Sequence, residues 1–195
     1  MKSKKVLSLI IAGLLLVLMV GGCANEPVDE ADKGYNDIAD LYSLSKNEDN
    51  TYSYAFADTN GNTLFKKENA VREPKVNQIA ANVYELNTQT GTGLSTNWAV
   101  YCDVEHSRVS ETFFYVLGAR GDYVVRADNE DGKHLIIVQN IFDKSVYCKT
   151  YELENVSPVA ADFAIRCKFD AAGNATITYL VGEDYKETEI TIDIP

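Results

Sequence analysis

From Thr51 to the end of the chain, apolar residues recur at alternate positions in short runs separated by turn residues. In Tyr52-Ser-Tyr54-Ala-Phe56 the rings fall on one side of an extended chain. Thr59-Asn60-Gly61-Asn62 then supplies residues that tolerate positive φ, and Thr63 to Lys67 returns. That order predicts a β-hairpin. The same grammar predicts further strands at Asn82 to Thr88, Trp98 to Val104, Val109 to Leu117, Tyr123 to Asp128, His134 to Phe142, Tyr147 to Leu153, Phe163 to Phe169, Ala175 to Val181 and Glu187 to Ile194. No stretch of this region has the period of a long helix.

Asp131-Gly132, Ala172-Gly173-Asn174 and Gly182-Glu183-Asp184 each sit between two such runs, so consecutive antiparallel pairing is the natural connection. Ile190, Ile192 and Ile194 alternate with Glu189, Thr191 and Asp193, which predicts a last strand buried on one face only. Leu135 to Val138 is apolar on both faces and belongs in the middle of a sheet. The expected fold is all-β, an antiparallel sandwich or open barrel of about ten strands. Gly93, Gly132 and Gly173 lie 39 and 41 residues apart, a spacing that also suits propeller-like blades. Too few intervals exist to close a ring, and each holds about three strands where a blade has four.

The N-terminus follows a different rule. Lys2, Lys4 and Lys5 precede an apolar run from Val6 to Val20, and Val20-Gly21-Gly22-Cys23 closes it with small residues before a cysteine. This is the layout of a secretory signal. From Val6 to Gly22 it is shorter than the roughly 20 residues of a spanning helix. Its ending resembles the lipobox of bacterial lipoproteins, a resemblance confined to residues 1–23. It implies cleavage before Cys23, a lipid on the Cys23 sulfur, and a mature chain held on the extracytoplasmic face of the cell membrane. Cys23→Ala is therefore expected to abolish incorporation of a labelled fatty acid; label retained by that variant would contradict the assignment.

Residues 24–50 open with Glu26, Asp29, Glu30 and Asp32 and are poor in large apolar groups. They read as an acidic flexible tether that cannot offset its ordering entropy. One short helix is expected around Tyr35 to Leu44, where Tyr35, Ile38, Leu41 and Tyr42 have helical spacing. The expected organisation is thus a signal peptide at 1–22, a lipidated tether at 23–50, and a single all-β extracytoplasmic domain at 51–195.

Composition narrows the function classes. The formal charge is −11, and residues 1–22 hold three lysines and no acids, so the mature chain carries −14. Nucleic-acid binders display a basic face, and none is expected here. Besides Cys23 there are Cys102, Cys148 and Cys167, with no C-x-x-C pair and only two histidines, so neither a disulfide framework nor a zinc site is expected. No cofactor is expected. Cys102 and Cys167 should face the core as small apolar groups. Tyr101, Tyr147 and Tyr151 are expected to point away from it, as a stacking platform would require.

The densest polar stretch runs from Asp103 to Glu111. On strand alternation Trp98, Val100, Cys102 and Val104 face one way and Asp103 and Glu105 the other. Glu105, His106, Arg108 and Glu111 are the candidate ligand-binding residues, with Arg108 expected between Glu105 and Glu111. Because such a turn is exposed, replacing Arg108 and His106 by alanine should barely alter stability. No nucleophile elbow or phosphate-cradling loop is present. The leading expectation is a non-catalytic module that binds a protein, peptide or glycan. A small surface hydrolase acting on glycans through paired carboxylates such as Glu105 and Glu111, or an envelope sensor or inhibitor domain, are the alternatives.

Overall fold

Alternating side chains and Asn, Asp or Gly at the joints produce a chain that folds almost wholly by consecutive hairpins. The computed structural model describes residues 38–158 and 160–195. After a 3-10 turn at Ile38–Asp40, the first sheet comprises β1 (Tyr42–Lys46), β2 (Tyr52–Ala57) and β3 (Thr63–Ala70) in that order. The second comprises β4 (Lys75–Ala80), β5 (Val83–Gln89), β6 (Asn97–Asp103) and β7 (Arg108–Val109), with β8 (Phe113–Phe114) also paired to β6. The third runs β12, β11, β10, β9, built from β9 (Val116–Arg120), β10 (Tyr123–Glu130), β11 (Lys133–Asn140) and β12 (Cys148–Glu152). The fourth contains β13 (Ala164–Phe169), β14 (Ala175–Val181) and β15 (Lys186–Ile192). All pairings within these sheets are antiparallel, and none of the sheets closes into a barrel.

The sheets stack in chain order, and each pair of neighbours encloses an apolar layer. Tyr54 and Phe56 of the first sheet meet Tyr84, Leu86, Val100 and Cys102 of the second. On the other face of the second sheet, Val83, Ala99 and Tyr101 meet Val116 and Val124 of the third. Val125, Ala127, Ile136 and Val138 of the third sheet then pack on Ala164, Ala175, Ile177 and Ile192 of the fourth. This is an all-β layered sandwich. The two inner sheets are buried on both faces, which is why Ala99 to Asp103 and Leu135 to Gln139 are buried without a break. The evenly spaced glycines mark successive meanders: Gly132 and Gly173 adopt φ of 79° and 97° in the β10–β11 and β13–β14 turns. Sheets of three, five, four and three strands are unequal units.

Four expectations change. Leu41 is buried and Tyr42 to Lys46 pairs along β2, so the described part of the helix expected around Tyr35 to Leu44 is reduced to the 3-10 turn at Ile38–Asp40, and the sheet begins inside the stretch read as tether. Lys75–Ala80 forms a further strand, whose alternation a bulge after Gln78 breaks. The single strand expected from Val109 to Leu117 is three short ones. Tyr115, at φ 52°, turns the chain out of the second sheet into the third, donating its N–H to Asn97 and accepting from Ala127 N–H. Among the described residues, fifteen strands therefore replace about ten. Cys23 and the signal segment lie outside the described residues.

Cys102 is fully buried, Cys167 lies at the core margin and Cys148 is exposed on the edge strand β12; all three are free thiols. Burial pushes the Cys102 and Cys167 thiols up to about 12, which makes them inert at neutral pH. A thiol reagent should label Cys148 in the native protein and all three after denaturation without reductant. Only one labelled after denaturation would reveal a disulfide.

Candidate functional site

The predicted polar stretch forms the free edge of the second sheet. Strand β6 ends at Asp103, whose side chain is 3% exposed, and the chain reverses through Val104 to Ser107. Ser107, at φ 51°, closes the turn and donates its hydroxyl to Asp58 Oδ2 at 2.6 Å. Asp58 also accepts the N–H groups of Asn60 and Asn62 and the Asn62 side-chain amide. Those donors, led by Ser107 and the Asn62 side chain, lower its pKa to about 2. The β2–β3 turn and the β6–β7 turn thus hold each other.

Asp103 organises the candidate residues. It accepts the His106 N–H at 3.0 Å, lies 2.9 Å from His106 Nδ1, and receives Arg108 Nη2 at 2.5 Å and Nε at 3.2 Å. Burial alone would raise its pKa, but the Arg108 and His106 donors outweigh this and hold it below the usual carboxylate range. With Nδ1 turned to Asp103, a neutral His106 donates there and keeps its Nε2 lone pair for solvent or a ligand. The Arg108 guanidinium lies 4.5 Å from the centroid of the Phe142 ring, in the connection between β11 and β12, a cation–π contact that fixes its plane.

The carboxylates are dispersed. Glu105 accepts from Asn82 Nδ2, and Glu111 accepts from Gln139 Nε2 at 3.2 Å. Arg108 therefore sits on Asp103, not between Glu105 and Glu111, and the two glutamates are held by different sheets. Glu111, Gln139, Phe142, Asp143 and Lys144 line a shallow cleft of about 240 Å³. Arg108 stands at its edge, over the Phe142 ring.

Sequence reasoning missed a further buried carboxylate, beside Asp58 and Asp103. Glu85 accepts from Tyr101 Oη and from Asn77 Nδ2, both at 3.0 Å. Burial, then the nearby Glu85 charge, push the Tyr101 phenol well above its ordinary value. Tyr101 is fully buried, and Tyr147 and Tyr151 pack against the third apolar layer, so the expected outward tyrosine platform does not form. A charged residue between Tyr84 and Leu86 was the available signal. Asp162 closes the loop after β5, accepting N–H groups of Leu94 and Ser95 at 2.7 and 2.9 Å. The approach is so close that a Cβ on Gly93 would lie 2.3 Å from its Oδ2.

Among the described residues, no group of three or more His, Cys, Asp or Glu side chains is placed to hold a metal ion. None of their helices is long and apolar enough to cross a membrane. Comparison with family models, curated proteins and solved structures finds no match for this chain.

Proposed function

We propose that this chain is a lipid-anchored module on the extracytoplasmic face of the cell membrane that binds a protein, peptide or glycan without cleaving it. The edge from Asp103 to Glu111 is its recognition surface. The observation that carries this reading is the state of Arg108, whose side chain remains 49% exposed. Asp103 fixes two of its nitrogens and Phe142 its plane, while Nη1 has no protein partner among the described residues. A guanidinium already immobilised loses little entropy on pairing with a carboxylate or hydroxyl. The carboxylates of the stretch, by contrast, already accept from protein donors, which suits a fixed surface better than an acid–base pair.

The test needs a variant that spares the fold. Removing both Arg108 and His106 would leave the buried Asp103 carboxylate with little beyond a backbone N–H, costing about 1–3 kcal/mol, so the double alanine change is not neutral as the sequence suggested. Arg108→Lys keeps a charge for Asp103 but loses the fork and the stacking. It should retain the melting temperature within a few degrees and weaken capture of the partner from native envelope about tenfold, or ~1.4 kcal/mol. Undiminished capture would remove Arg108 from the recognition surface.

A further inference from the structure

The edge of the second sheet has another face. Residues paired across it share a side, so Arg108, opposite Asp103, and Phe113, opposite Ala99, turn toward the third sheet. Val109, opposite Cys102, and Phe114, opposite Trp98, turn toward the first. On that side lies a groove of about 350 Å³ lined by Phe65, Lys66, Lys67, Trp98, Thr112 and Phe114. That volume is at the lower end of the ~300–1,000 Å³ of ligand pockets. Phe114 is 62% exposed and Val109 44%, although Phe113 beside them is buried in the core. Trp98 and Phe65 are half-buried against the first apolar layer, and their outer parts face the groove.

Charge sets this groove apart. The chain has 29 acids against 18 lysines and arginines, yet among the described residues the only charged ones lining the groove are two lysines. Lys67 Nζ stands 5.9 Å from the Trp98 ring centroid, a cation–π contact that holds an ammonium beside the rings. Lys66, opposite Ala55, turns with Glu68 to the outer face of β3, where the two pair, so Lys67 is the ammonium that faces the rings.

We infer that this groove binds a short acidic glycan. Pyranose rings lie against Phe114 and Trp98, a carboxylate or phosphate substituent meets Lys67, and ring hydroxyls meet Thr112. Three rings from two sheets offer flat apolar faces, which suit the flat C–H faces of sugar rings. A peptide strand would instead add to the outer edge of β3, where Lys66, Lys67 and Glu68 are the kind of charged side chains that discourage strand addition. The net negative charge of the domain opposes a long polyanion but is screened beyond ~8 Å at physiological salt, so an oligomer is the fitting occupant. The inference rests on the reading of the chain as a binding module, though not on the Arg108 cleft.

Trp98 is the single tryptophan of the chain, so its emission reports on this groove alone. The full-length protein is titrated with tetragalacturonate, with its neutral methyl ester, and with a short poly-glutamate. The expected result is a saturable change in Trp98 emission with the acidic sugar, weakened at least tenfold by Phe114→Ala and severalfold by Lys67→Gln, with the ester binding far more weakly. Arg108→Lys should leave this response unchanged even if it abolishes capture at the other cleft, so the two surfaces fail independently. No saturable change with tetragalacturonate, equal binding of the ester, an equal response to poly-glutamate, or full affinity in Phe114→Ala would each overturn the assignment.

Discussion

Replacing Phe163 by alanine should destabilise the protein by about 3–5 kcal/mol, the usual cost of emptying a large aromatic site in a packed core. Phe163 is fully buried where the chain enters the fourth sheet, its ring edge-on to Tyr115 at 5.4 Å and to His134 at 4.7 Å. Its carbonyl accepts the Leu180 N–H at 2.9 Å. The same corner is tied by Tyr115, whose hydroxyl donates to the Ala164 carbonyl and accepts the Ala164 N–H. Relaxation into the space is limited, because the Tyr115 ring beside it is held at its hydroxyl by Ala164. Urea unfolding followed by circular dichroism reads the loss as a lower midpoint at unchanged slope. A loss under about 1 kcal/mol would mean that the third and fourth sheets do not share the core described.

Shortening is the second large effect. A chain beginning at Thr51 lacks Leu41 and β1, and with them the register from Tyr42 opposite Phe56 to Lys46 opposite Tyr52. It also loses the Ala57 N–H to Leu41 carbonyl bond at 2.8 Å and the Tyr42 ring against Tyr54 and Phe56 at 6.4 and 6.3 Å. The buried Leu41 side chain alone contributes about 1.5–3 kcal/mol. The exposed edge of β2, with Tyr52, Tyr54 and Phe56, would become an open template for strand pairing between molecules. Compared with a chain that retains residues 24–50, the shortened one should melt several degrees lower and aggregate on heating. Equal melting temperatures would show that β1 contributes nothing and that the tether extends to residue 50.

Both predictions turn on what alternation could and could not reveal. The hairpins at Asn60-Gly61 and Asp131-Gly132, the central position of Leu135 to Val138 and the half-wet last strand were legible because local turn chemistry and period agree with the fold. Where tertiary context overrides the local signal, reading fails. Tyr35, Ile38, Leu41 and Tyr42 have helical spacing, yet β2 needs a partner on its outer edge. Asn47-Glu-Asp49-Asn50 is a turn signal, closed by Asp49 accepting from Thr51 and by Asn50 at φ 65°. Val76 turns toward the first sheet and Ala80 toward the third, because the register shifts between Gln78 and Ala80 and breaks the β4 alternation.

The candidate site was half legible. Alternation placed Asp103 opposite to Cys102, and the density of polar residues located the turn. It could not show that Asp103 is buried, since burial on that side comes from the third sheet, far along the sequence. That burial decides the pairing: a desolvated carboxylate takes the nearest strong donors, which draws Arg108 and His106 inward and leaves Glu105 and Glu111 to Asn82 and Gln139. The aromatic groove was illegible for a similar reason. Phe65 and Phe114 are distant in sequence, and only the stacking of the first two sheets brings them to one opening.

The central claim, recognition without cleavage at the Asp103–Glu111 edge, is tested most directly by the mass of the captured partner. After capture from native envelope and prolonged incubation with the wild-type protein, the partner should keep its intact mass, identical to that of a sample held without the protein. Fragments that appear with the wild type and vanish with Glu111→Gln would contradict the claim and assign this edge to a hydrolase.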